Sequence, residues 1–259
     1  MIRKIFFCTC TLLLVLIVPI VVRADEKEKS WYCAHRRDHA QPIADSEFNF
    51  IDQYDGVYID KKHGDSCSDK VVYLTFDVGY ENGNVSRVLD AMKSQDVKGA
   101  FFILGNVIKC NTDLVNRMFD EGHLVCNHTF SHKNITKQSD EELKKELSAL
   151  EELCIEKTGK EMSKYFRPPE GRFSEESLML LKKWGYKTVF WSFAYADWDN
   201  ERQMSADKAK NKIFENIHNG EVMLLHPTSK TNADILEDVI MELKNQGYRF
   251  GTLDELCEK

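Results

Sequence analysis

Short apolar segments alternate with longer amphipathic segments from Val71 onward, and this alternation limits the possible folds more than any other feature. The apolar segments have the length of strands and read VVYLTF, GAFFIL, HLVCN, KTVFW, EVMLLH and YRFGTL. The clearest amphipathic segment, 140–157, carries apolar residues at helical spacing behind a predicted capping box of Ser139 and Glu142. Strands that alternate with helices predict a parallel sheet covered by helices.

The predicted strands are apolar throughout, so both faces of the sheet should be buried. A barrel and an open doubly wound sheet would both satisfy this pattern. In either fold, functional side chains gather at the carboxyl ends of the strands.

The amino-terminal residues have the pattern of a targeting segment. A basic start precedes an almost wholly apolar stretch, and the small residue Ala24 follows it. We interpret residues 1–24 as a secretory signal peptide cleaved after Ala24, with an uncleaved membrane anchor as the alternative. Both interpretations place the rest of the chain outside the cytoplasm. Residues 25–69 are expected to form a short flexible linker and an irregular extension that packs on a main domain, 70–259.

Charge and cysteine content narrow the class of protein further. The formal net charge of −7 argues against nucleic-acid binding, which would need a basic surface. Contact with a membrane is expected only through an uncleaved N-terminal segment. Six cysteines follow the predicted signal peptide: Cys33, Cys67, Cys110, Cys126, Cys154 and Cys257. Their spacing does not predict a zinc ribbon, and it is compatible both with disulfides and with free buried thiols.

Four polar side chains end or follow predicted strands. They are Asp77 after VVYLTF, His128 after HLVCN, Asp197 after KTVFWSFAYA and His226 at the end of EVMLLH. A polar residue at one strand end is common and has little meaning alone. Four of them on one edge of a parallel sheet predict a candidate active site.

Two further patterns lie close to these strand ends. In NHTFSH, His128 and His132 are four residues apart, and on a helical turn both imidazoles would share a face and reach one metal ion. In FRPPEG, two prolines after Arg167 stiffen the chain and would hold the guanidinium in place, although a plain rigid turn gives the same pattern. An arginine fixed beside Asp77 would keep that carboxylate ionised.

The order of these motifs resembles the polysaccharide deacetylase family, the carbohydrate esterases with a NodB-homology domain. The matching segments are TFDVG, HTFSH, RPPEG, ADW and LLH, in that order. The resemblance implies an α/β fold, a distorted (β/α) barrel with parallel strands and outer helices. It also implies metal-assisted hydrolysis of N-acetyl groups on an amino-sugar polymer, with residues 70–259 as the catalytic domain.

The resemblance also implies catalytic roles. Asp77 matches the general base that takes a proton from the attacking water, and Arg167 matches the arginine that supports it. His226 matches the general acid that protonates the leaving amine, and Asp197 matches the carboxylate that tunes this histidine. Amide hydrolysis needs both groups, because water is a weak nucleophile and an amine leaves only when protonated.

Ligand roles follow from the same resemblance. His128 and His132 match the metal-binding histidines, and a divalent ion, with Zn²⁺ favoured by imidazole ligands, is the expected cofactor. The backbone N–H of Glu170 matches the oxyanion donor, although the family usually has an aromatic side chain there. Trp198 matches a wall of the site, and Leu224 belongs to the LLH motif that lines it.

Val78 departs from the family pattern. The first motif usually carries a second acid at this position, which completes the metal site, and valine cannot coordinate a metal. The metal should therefore be weakly bound, unless Glu81 or Asn82 approaches in its place. The sequences TFDVGYENG and FWSFAYADW, with Ala194 in the second, resemble the muramic-acid deacetylases of spore-forming bacteria, a branch that lacks the second acid.

That branch implies an extracytoplasmic enzyme of the cell wall or spore cortex. Its substrate would be peptidoglycan glycan strands, and deacetylation of N-acetylmuramic acid would lead to muramic δ-lactam. Two alternatives are a deacetylase of N-acetylglucosamine or chitin-type oligomers and a catalytically inactive glycan-binding relative. Loss of the acid at Val78 favours inactivity, whereas retention of Asp77 and His226 favours an enzyme.

Overall fold

A computed structural model describes residues 28–258. The strands within this range are β1 (Lys29–Ser30), β2 (Gly56–Val57), β3 (Lys70–Val78), β4 (Ala100–Ile103), β5 (Leu124–Asn127), β6 (Ser163–Phe166), β7 (Arg172–Phe173), β8 (Lys187–Val189), β9 (Glu221–Leu225) and β10 (Tyr248–Phe250). The helices are α1 (Asn84–Ser94), α2 (Gly105–Cys110), α3 (Thr112–Asp120), α4 (Asp140–Thr158), α5 (Glu175–Lys183), α6 (Ala206–Asn216), α7 (Lys230–Asn245) and α8 (Leu253–Cys257). The predicted signal peptide or anchor, residues 1–24, lies outside the described residues.

The main sheet is parallel and has β3 near its centre. One path runs β10-β3-β4-β5-β6-β8-β2, and β9 also pairs with β3. After β8 the chain turns back, and Phe193 pairs in parallel with Met223 of β9. This contact curls the sheet into an incompletely closed barrel with helices outside. The expected α/β fold, a distorted (β/α) barrel of parallel strands, is confirmed.

The two faces of β3 explain why its sequence is apolar throughout. Side chains alternate between faces along a strand. Val72, Leu74, Phe76 and Val78 lie in the core between sheet and helices. Val71 and Tyr73 lie in a second cluster on the other face of the strand, inside the barrel. By this alternation Asp77 belongs to the interior face, and its neighbour Val78 to the helix side.

Helix α4 begins and ends as its sequence predicts. The hydroxyl of Ser139 accepts the N–H of Glu142, whose carboxylate accepts the N–H of Ser139, so the capping box is confirmed. Gly159 follows the last turn at φ 70°, a left-handed conformation that glycine adopts without steric cost. The apolar stripe of the helix is buried: Leu143, Leu147, Leu150 and Cys154.

The two strands before β3 join different sheets. β1 pairs antiparallel with β7, and β2 adds a parallel strand beside β8. The linker expected from the charged residues therefore gives way to a paired strand at Lys29–Ser30. All six cysteines of the described chain are free thiols. None of the helices between residues 28 and 258 is long and apolar enough to cross a membrane.

Candidate active site

Asp77 and Arg167 form an ion pair inside the barrel. Arg167 follows β6 and is fully buried, and its NH1 group donates to Asp77 Oδ1 over 2.8 Å. The rest of the guanidinium is fixed by the hydroxyl of Thr75, at 2.8 Å, and the carbonyl of Val189, at 2.9 Å. Burial would raise the pKa of Asp77, but the charge of Arg167 and the neighbouring imidazoles lower it below its ordinary value. Asp77 is therefore held as a carboxylate.

His226 and Asp197 form a second pair on the same side of the barrel. The Nδ1 atom of His226 lies 2.7 Å from Asp197 Oδ1, and its backbone N–H donates to Asp197 Oδ2 over 2.8 Å. Burial alone would lower the pKa of His226. The hydrogen bond and charge of Asp197, together with the charge of Asp77, outweigh burial and raise it. Since Nδ1 faces the carboxylate, Nε2 is the nitrogen left for a reacting group.

Asn232, in the first turn of α7, completes this pair, and the sequence analysis missed it. Its side-chain amide donates to Asp197 Oδ2 over 2.6 Å and to the carbonyl of His226 over 3.1 Å. The hydroxyl of Tyr195 donates to its amide oxygen. Asn232 is 1% exposed, and because its burial is visible only in the structure, no signal in the sequence marked it.

Two asparagines hold the loop that follows His226. The side chains of Asn82 and Asn84 both donate to the carbonyl of Thr228, over 2.9 and 3.0 Å. Glu81 caps α1, because its carboxylate accepts the N–H groups of Gly83 and Val85. Glu81 and Asn82 are thus committed to structural hydrogen bonds, and neither replaces the missing acid.

The imidazoles of His128 and His132 lie close together, but the prediction of a helical turn between them is wrong. They lie on a loop after β5, with ring centroids 5.0 Å apart. Thr129 and His132 both have positive φ, at 69° and 59°, which a helix does not allow. The loop is held by side chains: Asn127 accepts the N–H of Thr129, and Thr129 accepts the N–H of His132.

The donor chemistry of the two histidines fits a divalent metal. The carbonyl of Arg167 accepts a hydrogen bond from His128 Nδ1 over 2.8 Å, so the lone pair of this neutral ring lies on Nε2. Burial holds the pKa of His128 at about 4, which keeps the ring neutral. No group of three or more His, Cys, Asp or Glu side chains arranged for a metal occurs among residues 28–258. Two imidazoles are therefore the available protein ligands, and Asp77 Oδ2 lies 3.6 Å from His128 Nε2.

The remaining predicted residues border the same region. Glu170 has φ 56°, and its exposed carboxylate pairs with Arg172 Nε over 2.7 Å. Trp198 is 61% exposed, and its ring lies 6.2 Å from that of His226. Leu224 is buried in β9, in register with Thr75 of β3.

Comparisons with known proteins place the chain in a family. The family model for polysaccharide deacetylase matches residues 64–189. Peptidoglycan-N-acetylmuramic acid deacetylase PdaA of Bacillus subtilis is 39% identical over 228 residues, which cover 88% of this chain and 85% of that protein.

Two solved structures share the fold at high coverage. The structure of Bacillus subtilis PdaA, a family 4 carbohydrate esterase, aligns with a TM-score of 0.83 at 38% identity over 89% of this chain and 97% of that one. A family 4 carbohydrate esterase from Bacillus anthracis aligns with a TM-score of 0.72 at 36% identity over 90% and 97% of the two chains. The chain therefore belongs to the polysaccharide deacetylase family, the family 4 carbohydrate esterases.

Proposed function

We propose that this protein removes the N-acetyl group from N-acetylmuramic acid residues of peptidoglycan outside the cytoplasm. The observation that carries the proposal is the geometry of two pairs on one side of the barrel: Arg167 NH1 donates to Asp77 Oδ1 over 2.8 Å, and His226 Nδ1 lies 2.7 Å from Asp197 Oδ1. The first pair lowers the pKa of Asp77, and the second raises that of His226. A base and an acid held in opposite protonation states are what hydrolysis of an amide requires.

Asp77 is the general base of this reaction. Arg167 holds it ionised, and its second oxygen, Oδ2, is left to accept a proton from the attacking water. Because the guanidinium is fixed by three further acceptors in the barrel wall, the carboxylate cannot rotate freely. The base is thus oriented before substrate binds.

His226 is the general acid. Its Nδ1 proton is held by Asp197, so a protonated ring presents the Nε2 proton to the leaving amine. Asn232 donates to Asp197, which keeps the carboxylate facing the histidine. Protonation of the leaving nitrogen lowers the barrier to cleavage of the C–N bond, because a neutral amine leaves rather than its anion.

His128 and His132 would hold a divalent ion, with Zn²⁺ the ion that imidazole ligands favour. When bound, such an ion supplies Lewis acidity at the acetyl carbonyl and lowers the pKa of water. Position 78 carries valine, and no third His, Cys, Asp or Glu side chain among residues 28–258 is arranged to join the two histidines, so we expect weak binding.

Glu170 and Trp198 shape the rest of the site. The left-handed backbone at Glu170 sends its side chain to Arg172 at the surface, so the change from an aromatic residue leaves the proposed oxyanion role of its backbone N–H unaffected. The exposed ring of Trp198 beside His226 offers an apolar face on which a sugar can stack. Leu224 is buried in β9, two residues before His226.

The choice of muramic acid rests on similarity to PdaA, which is named for this activity, across 88% of the chain. In this proposal the enzyme acts on cortex peptidoglycan during spore formation, where muramic δ-lactam is made. A chitin-type deacetylase is the alternative within the family. An inactive glycan-binding protein is disfavoured, because binding needs neither an acid nor a base.

Acetate release from purified substrates tests the proposal. The protein from Asp25 to Lys259 would be incubated with peptidoglycan whose stem peptides have been removed, with intact peptidoglycan and with chitin oligomers, each with and without Zn²⁺. We expect release from peptidoglycan and identification of the new amine on muramic acid by mass spectrometry. An amine found only on glucosamine would refute muramic-acid specificity, and no release from any substrate would refute the enzymatic function.

A further inference from the structure

The carboxylate of Glu28 lies at the junction of two loops. It accepts hydrogen bonds from the Thr136 hydroxyl at 2.6 Å, the Asn134 amide at 2.8 Å and Arg172 NH1 at 2.9 Å. The ammonium group of Lys137 lies 3.5 Å from it. Four donors from two separate chain segments thus converge on a single side chain.

Both loops carry residues of the candidate active site. Asn134 and Thr136 lie in the short turn that follows His132, one of the two metal-binding candidates. Arg172 lies two residues after Glu170, the proposed oxyanion donor, and its Nε also pairs with the Glu170 carboxylate. Glu28 therefore connects the histidine loop to the RPPEG loop.

The backbone around Glu28 is itself fixed to the RPPEG loop. Lys29 and Ser30 pair with Phe173 and Arg172 in an antiparallel ladder. One residue further, the N–H of Trp31 donates to the Gly171 carbonyl over 2.8 Å. The buried indole of Trp31 also donates to a main-chain carbonyl, at Trp191, over 2.9 Å.

Close packing at Gly171 keeps this contact in place. A Cβ atom on Gly171 would lie 2.8 Å from the Trp191 ring and 3.3 Å from Trp31, and the backbone there has φ 66°. The strand before the barrel thus fits tightly against the loop that it holds.

We propose that Glu28 is a positioning residue, and that the strand β1 ties the histidine loop and the RPPEG loop into the relative placement that the active site needs. The sequence suggests that this segment is a linker. In this proposal it instead positions residues of the active site. A shortened form of this protein that lacks Glu28 and β1 would lose this connection between the two loops.

The negative charge of Glu28 is required, not only its shape. Two of its partners, Arg172 and Lys137, are cations, and hydrogen bonds to charged groups are about twice as strong as neutral ones. The hydrogen bonds from Thr136 and Asn134 outweigh burial and bring the pKa of Glu28 to about 2. The carboxylate therefore stays ionised at neutral pH. A glutamine of equal size keeps a carbonyl acceptor but turns an NH₂ group toward at least one donor.

The test compares Glu28→Gln with Glu47→Gln. Glu47 is a matched control, because its carboxylate also forms an ion pair at β1, with the ammonium group of Lys29 over 2.9 Å. Glu47 is half exposed, and this ion pair involves neither of the two loops. Amide hydrogen exchange of residues 133–137 and 170–173 is measured first, without metal or substrate. We expect faster exchange in both loops for Glu28→Gln alone.

Zinc affinity, from calorimetry, and kinetic constants follow for the same variants. Loss of a group that hydrogen-bonds directly to a metal-binding histidine costs roughly 10–100-fold in affinity. Glu28 acts on His132 only through the loop at Asn134 and Thr136, so we expect Glu28→Gln to bind Zn²⁺ at most about tenfold more weakly and to lose kcat more than KM. Arg172→Gln removes the contact between Glu28 and the RPPEG loop from the loop side. This variant tests the proposal if Glu28→Gln is too unstable to purify.

Unchanged exchange in both loops together with unchanged zinc affinity would overturn the proposal. Its kinetic part rests on the proposed function, but the exchange and zinc measurements do not. Wild-type protein without deacetylase activity would therefore refute the function, while those two measurements would still decide the role of Glu28.

Discussion

Replacing Asp197 by asparagine should shift the alkaline limb of the pH–rate profile to lower pH. In the folded protein, burial lowers the pKa of His226, and the hydrogen bond and charge of Asp197 raise it further than burial lowers it. The asparagine would keep the size of the side chain but not its charge. Burial and the positive charge of Arg167 would then remain, and both lower the pKa of His226.

The size of the shift follows from the geometry. An opposite charge in direct contact moves a pKa by about 1–3 units, and Asp197 touches His226 at 2.7 Å. The charge of Asp77 remains in the variant and still raises the pKa of His226, so we expect a fall that Asp77 limits. A general acid must be protonated, so activity is lost as pH rises through this pKa, and the limb moves down by the same amount.

The amide also disturbs the hydrogen bonds. Asp197 Oδ2 accepts from the backbone of His226 and from the side chain of Asn232, and an NH₂ group there would face two donors. In the other orientation the NH₂ group would donate to His226 Nδ1, which then cannot carry a proton, so the imidazolium that serves as the general acid would be disfavoured. Either orientation predicts a lower kcat in addition to the pH shift.

The assay is acetate release from peptidoglycan as a function of pH, expressed as kcat/KM. Asp199→Asn is the matched control, because Asp199 is two residues away, accepts the N–H of Glu201 and pairs with Arg202 at the surface. It should leave the alkaline limb in place. A reduced rate with an unshifted limb in Asp197→Asn would show that Asp197 acts only on structure.

Four further outcomes are expected. Asp77→Asn should fold and lose about 10²–10⁴-fold in acetate release, and a variant with half the wild-type rate would remove Asp77 from the mechanism. Zn²⁺ should stimulate the purified protein and chelators silence it, whereas the His128→Ala/His132→Ala double variant should show no zinc binding by calorimetry. Val78→Asp should lower the free energy of unfolding without metal by about 1–3 kcal/mol, measured by urea unfolding, because position 78 is fully buried in the helix-side core. Glu221 is buried with one oxygen lacking a partner, and burial raises its pKa well above 4.5, so the folded protein holds it neutral while the unfolded chain ionises. The wild type should therefore lose stability as pH rises above 4.5, and Glu221→Gln should unfold at higher urea concentration at pH 8.

The sequence could predict which strand ends carry functional groups, but not how loops bring them together. Asp77 and His226 lie at the ends of apolar segments, and the carboxyl ends of parallel strands lie on one edge of a sheet. The order of apolar segments in the sequence is therefore enough to predict that the two residues share this edge. The spacing of His128 and His132 suggested a helical turn, because spacing does not reveal positive φ angles. Glu28 was missed for another reason: a glutamate among charged residues has the composition of a linker, and its value comes from partners over 100 residues away.

The proposed base and the proposed acid are held by different parts of the molecule, although their charges act on each other. Asp77 depends on Arg167, which is fixed inside the barrel by two main-chain carbonyls at the carboxyl end of β8. His226 depends instead on Asp197 and on Asn232 of α7, outside the barrel wall. Because Arg167 lowers the pKa of both Asp77 and His226, substitutions around Arg167 should move both limbs of the pH profile, whereas substitutions around Asn232 should act first on the alkaline limb. Asp77 raises the pKa of His226 and His226 lowers that of Asp77, so a change to either group should move the pH optimum from both sides.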